Sequence, residues 1–132
     1  CDKNALKDID ATISVVSSAG KVGIIGYCWG GSLSWRMACQ SNDLSASVCY
    51  YGGDIPKLKS LEPKCGVLAH FGELDQGIPI ESVEAFKSVK PEVIIYTYPA
   101  DHGFNCDHRK QYCQTSTKVA LDRTLKFLKI NL

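Results

Sequence analysis

The sequence predicts a three-layer α/β/α sandwich built on a mainly parallel sheet, a single domain over residues 1–132. Two observations predict it. Short apolar runs with β-branched centres alternate with longer stretches of three- and four-residue periodicity, the pattern of repeated βα units. The second is size. A chain of 132 residues with 45% hydrophobic content can bury roughly two-thirds of its extended surface around one core.

Each element follows from its own residues. Leu6, Ile9, Ile13 and Val16 recur at helical steps, so residues 3–18 form an amphipathic helix stopped at Gly20. Residues 21–27 read as a buried strand and residues 29–40 as the helix after it. A second strand over 45–51 ends at Gly52-Gly53, and residues 55–61 make a short helical turn before Pro63. A third strand over 65–71 precedes a helix over 80–89. The fourth strand, 92–98, has the β-branched centre Val93-Ile94-Ile95. Residues 111–130 form a terminal helix with Leu121, Leu125 and Leu128 on one face. Right-handed crossovers place the four strands side by side in sequence order.

Composition narrows the function. A formal charge of +1 with interspersed acids and bases gives no electrostatic reason to bind nucleic acid or a membrane surface. No apolar run approaches the ~20 residues that span a bilayer, and the first residues open no signal peptide. Seven cysteines, an odd number without paired spacing, predict free thiols and a cytoplasmic setting. The chain begins with Cys rather than Met, which suggests a processed or partial product.

The chemistry lies at the strand ends, where sheets of this kind bind ligands. Gly26-Tyr27-Cys28-Trp29-Gly30-Gly31 follows an apolar run and raises a thiol on a strand-to-helix corner. Gly26 and Gly30 are expected to remove Cβ atoms that would collide there. The following helix directs free N–H groups and the positive end of its dipole at the sulfur, which favours thiolate. An ordinary thiol is mostly protonated at neutral pH, so a cysteine nucleophile needs a base. His102, after the fourth strand, supplies the imidazole. Asp75, after the third, supplies a carboxylate to fix its tautomer, with Glu73 and Asp101 as rivals. His70, set on a strand end, reads as a packed or hydrogen-bonded residue. Tyr50 and Tyr51 could line the same cleft, and Trp29 could wall it. Cys106, His108 and Cys113 do not match zinc-ligand spacing, so no metal site is expected. Cysteine amidotransferases also raise a thiol on a corner, but they carry H-x-E, which neither His102 nor His108 begins.

The segments Gly-Tyr-Cys-Trp-Gly-Gly at 26–31, His-Phe-Gly-Glu-Leu-Asp at 70–75 and His-Gly-Phe at 102–104 together resemble the dienelactone hydrolase (carboxymethylenebutenolidase) family. The terminal helix, with Arg123, Leu125 and Phe127, resembles that family's last helix. The resemblance implies an α/β-hydrolase fold lacking its N-terminal strands, and hydrolysis of a small ester or lactone through a thioester. Cys28 is then the nucleophile, Asp75 the orienting acid, His102 the base and the Trp29 backbone N–H an oxyanion donor. Tyr51, Phe104 and Arg109 are the candidate substrate-binding residues, and neither metal nor cofactor is implied.

Two departures from the family carry expectations of their own. The N-terminal half, with one oxyanion amide and a glutamate that modulates the nucleophile, is not in this sequence. Weak activity, or a non-catalytic binding or structural role, is the alternative expectation. Cys106 stands where the type enzyme has the arginine that holds the substrate carboxylate, which leaves Arg109 as the nearby cation. Without the N-terminal strands, residues 21–27 form an exposed sheet edge, for which self-association is expected.

Overall fold

The computed structural model describes residues 2–132. Helix α1 (Asp2–Val16) leads through a 3₁₀ turn into strand β1 (Val22–Tyr27), then helix α2 (Trp29–Gln40) and strand β2 (Leu44–Tyr50). Strand β3 (Gly66–Gly72), helix α3 (Ile80–Val89), strand β4 (Ile94–Tyr98) and helix α4 (Gln114–Asn131) complete the order. All pairings are parallel and the strands lie in the order β1-β2-β3-β4. The 55–61 turn shortens to a 3₁₀ segment over Ile55–Leu58.

Helices cover both faces. On one face, Ser47 of β2 donates its hydroxyl to the Ser34 carbonyl of α2. Met37 of α2 joins Ile13 of α1 in a small cluster, and Trp35 meets Phe86 of α3 edge-on at 5.3 Å. On the other face, the Tyr50 hydroxyl of β2 bonds the Thr124 hydroxyl of α4 at 2.8 Å. Alternation along each strand puts Cys49 toward α2 and its neighbour Tyr50 toward α4.

Helix α4 departs from expectation. Its buried stripe is Ser116, Ala120, Thr124 and Phe127, while Leu121 and Leu125 are more than half exposed. The small residues allow α4 to approach the sheet and let Thr124 reach the strand side chains. Farther along α4 and just beyond it, Leu128 and Leu132 approach Gly23 of β1. Among the described residues strand β1 pairs only with β2, and its Ile25 and Tyr27 are each more than two-fifths exposed. An apolar groove of about 410 Å³ lies beside this edge, lined by Ile9, Ile13, Val22, Ile24 and Leu33 among others. None of Cys28, Asp75 or His102 lines it.

Candidate active site

The turn at Cys28 is built by strain and close approach. Cys28 has φ 56° and ψ −118°, a backbone conformation that L residues rarely adopt. Its N–H donates to the Tyr50 carbonyl at 3.0 Å, tying the corner to β2. Its carbonyl accepts from Gly31 at 2.9 Å and Ser32 at 3.2 Å, which starts α2. The Trp29 and Gly30 amides stand in the first helical turn, where no intrahelical acceptor exists. The Trp29 ring turns toward α1, with Nε1 donating to Asp2 at 3.2 Å.

The two glycines expected to relieve this corner do not share the task. A Cβ on Gly26 would lie 1.9 Å from the Gly30 carbonyl oxygen, so α2 begins almost in contact with β1. A Cβ on Gly30 would meet nothing within 4 Å, because it points away from the sheet. The second tight position is Gly31, where a Cβ would lie 2.5 Å from the Tyr50 carbonyl oxygen.

His102 brings the three strand ends together. Its Nδ1 lies 2.7 Å from Asp75 Oδ2, and its Nε2 lies 3.1 Å from Cys28 Sγ. Asp75 is buried, and its other oxygen accepts the Gly77 and Ile78 amides at 2.9 and 3.1 Å. One carboxylate therefore closes its own turn and orients the imidazole. The rivals are occupied elsewhere: Asp101 accepts the His102 N–H, and Glu73 accepts the Thr97 hydroxyl. A crevice of about 380 Å³ flanks His102, lined also by Gly53, Gln76, Ile78 and Asp101.

The flanking residues fall in different places. Tyr51 is buried with its ring edge-on to His102, centroids 5.1 Å apart. Phe104 has no exposure and packs beneath Tyr51 and Tyr98, so it supports the His102 loop instead of facing a substrate. Arg109 folds back over Gly103, with Cδ 3.1 Å from where a Cβ there would stand, bringing its guanidinium beside the His102 turn. Among the described residues no group of three or more His, Cys, Asp or Glu side chains is arranged to hold a metal ion.

Sequence reasoning did not find the polar network behind the site. His70 is fully buried, with Nδ1 2.9 Å from the Tyr98 hydroxyl and Nε2 3.0 Å from the Thr124 hydroxyl. Arg123 lies 3.9 Å above the Tyr96 ring and donates to the Tyr98 hydroxyl. Burial, helped by the Arg123 charge, pushes the His70 imidazole down to about 3. In the unfolded chain the ring takes its proton near pH 6.5, so below that pH the unfolded state binds more protons than the folded one. The stabilisation from neutral His70 is complete above about pH 6.5 and is lost as pH falls, by about 1.4 kcal/mol per unit toward pH 3. Urea midpoints measured between about pH 7.5 and about pH 5 are expected to fall steeply, and His70→Gln to flatten that slope. Equal slopes in the two proteins would remove His70 as the cause.

The Dienelactone hydrolase family model matches residues 2–132. The "Putative carboxymethylenebutenolidase" of Escherichia coli O157:H7 is 33% identical to this chain, covering 97% of it and 54% of the relative. The carboxymethylenebutenolidase of Pseudomonas putida is 34% identical over 84% of the chain and 49% of its own length. The crystal structure of the "Putative Dienelactone Hydrolase" from Klebsiella pneumoniae superposes with a TM-score of 0.82 at 30% identity. That match covers 96% of this chain and 60% of the crystallised one. The chain thus spans about half the length of the curated relatives it matches. No helix among the described residues is long and apolar enough to cross a membrane.

Proposed function

The chain belongs to the dienelactone hydrolase family, and on that premise we propose that it hydrolyses a small ester or lactone through a thioester on Cys28. The observation that carries this reading is the single imidazole joining the Asp75 carboxylate to the Cys28 sulfur.

His102 Nε2 takes the thiol proton, and the sulfur attacks the substrate carbonyl. The Trp29 N–H, free in the first turn of α2, donates to the oxyanion. The tetrahedral intermediate collapses as His102 returns its proton to the leaving alcohol oxygen. Water then loses a proton to His102 and attacks the thioester, releasing the carboxylic acid and restoring the thiol. Asp75 holds Nδ1–H throughout and so fixes the tautomer that presents a basic Nε2 to sulfur. Arg109, beside the His102 turn, is the cation available to an anionic group on the substrate.

The test is hydrolysis of p-nitrophenyl acetate by the chain and by Cys28→Ala, with mass spectrometry of acid-quenched protein for an acetyl group on Cys28. Turnover that survives the substitution overturns the mechanism. A chain that neither turns over nor acylates has instead the non-catalytic binding or structural role.

The same reading extends to assembly. The β1 edge, unpaired among the described residues, and the exposed Ile25, Tyr27, Leu121 and Leu125 favour pairing of two chains through strand 21–27. Light scattering is expected to give a mass above the monomer that falls on dilution; a monomer at every concentration refutes it.

A further inference from the structure

Two hydrogen bonds leave the catalytic imidazole one freedom. Asp75 and Cys28 grip the ring at Nδ1 and Nε2, and what remains is libration about its own Cβ–Cγ bond against the give of those two hydrogen bonds. A contact on the flank of the ring narrows that libration. Tyr51 supplies one, edge-on at a centroid distance of 5.1 Å and an interplanar angle of 60°.

The backbone shows what holds Tyr51 there. Its φ is 38°, and it is one of only two non-glycine residues at positive φ among the described residues, the other being Cys28. Glycine suits such a position without strain, and a bulky aromatic does not. Its N–H donates to the His70 carbonyl at 2.7 Å, anchoring the turn to β3. Phe104 stands against it at 5.3 Å and Tyr50 at 6.0 Å, so the ring is wedged from behind. With 3% exposure, little of Tyr51 is open to a substrate. Burial pushes its phenol up, with smaller pushes from Tyr27, Cys106 and Cys28 and an opposing pull from the Asn105 amide, so the hydroxyl stays neutral.

We infer that Tyr51 is a positioning residue: its ring sets the plane of the His102 imidazole, so that Nε2 points at the sulfur and at the leaving group in turn. The inference rests on the hydrolytic reading of Cys28 and His102. It gives a function to a strained backbone that the Cys28 chemistry alone does not use.

The experiment compares wild type, Tyr51→Phe, Tyr51→Leu and Cys28→Ala on p-nitrophenyl acetate. Tyr51→Phe keeps the ring and is expected to retain kcat within about threefold, whereas Tyr51→Leu, which lets the imidazole turn, should lower kcat by roughly 10- to 100-fold with KM little changed. A rise in KM at unchanged kcat would make Tyr51 a substrate contact, and undiminished kcat would make it packing alone; either overturns the inference. Loss of activity in Cys28→Ala together with full activity in Tyr51→Leu sinks only the inference, while an active Cys28→Ala sinks the hydrolytic reading as well. Should Tyr51→Leu fail to fold, carbon-13 relaxation of the His102 ring in the wild type decides. An order parameter near that of rigid backbone, about 0.85, is expected, and one below about 0.6 refutes positioning.

Discussion

Replacing Cys28 with alanine is expected to lower ester hydrolysis by roughly 10⁴- to 10⁶-fold, equivalent to about 5 to 8 kcal/mol of transition-state stabilisation. Alanine cannot form the thioester, so both the acylation and the deacylation half-reactions disappear. What survives is the oxyanion donor and the binding surface, which promote only direct attack by water. The groups act as a unit, so Cys28→Ala combined with His102→Ala should be scarcely slower than either alone. An additive loss in the double variant would mean that His102 acts on the substrate without the sulfur. Steady-state rates of the two single variants and the double variant separate these outcomes.

Gly26→Ala carries the largest expected structural effect. Its new methyl would stand 1.9 Å from the Gly30 oxygen, 2.3 Å from the Gly30 carbonyl carbon and 2.5 Å from the Ser34 hydroxyl. Two of these are backbone atoms of the first turn of α2, and they cannot swing aside as a side chain can. The helix must move off the sheet. Overpacking of a side-chain core costs about 1–3 kcal/mol, and a backbone clash of this depth is expected at or above the upper end. Against a total stability of roughly 5–15 kcal/mol, that loss will be plain in the urea midpoint. Gly30→Ala is the matched control. Its methyl meets open space on the second residue of the helix, where alanine is intrinsically favoured over glycine by about 1 kcal/mol. The control should unfold at the same urea concentration as wild type or slightly above it. Equal destabilisation by both substitutions would show that the corner is not set by the approach of Gly26 to α2.

These two glycines also mark how far the sequence could be read. The flanking pattern around Cys28 located the corner, and the alternation of strands with helices fixed the sheet order. Pattern alone could not tell which glycine is pressed against a neighbour, because that depends on where the helix axis leaves the strand. The terminal helix shows the same limit. Leu121 and Leu125 are the most apolar stripe available, yet Ala120 and Thr124 face the sheet. The Thr124 hydroxyl is required there by His70 and Tyr50, and hydrophobic periodicity carries no signal of a buried hydrogen bond. At the site, sequence order named Cys28, Asp75 and His102 but left Asp75 in competition with Glu73 and Asp101. The distances that separate them come from loop geometry. Tyr51 reads as a cleft residue, but nothing local marks its place against the His102 ring, since a tyrosine ending a strand is ordinary until its φ is known.

The sulfur and the imidazole stand 74 positions apart in the chain. A ribosome therefore delivers the thiol long before the strand that carries its base. On the proposed hydrolytic reading, Cys28 lacks the His102 imidazole as proton acceptor until β4 has joined the far edge of the sheet. On that reading, completion of the last parallel ladder is also the event that brings the base to the thiol.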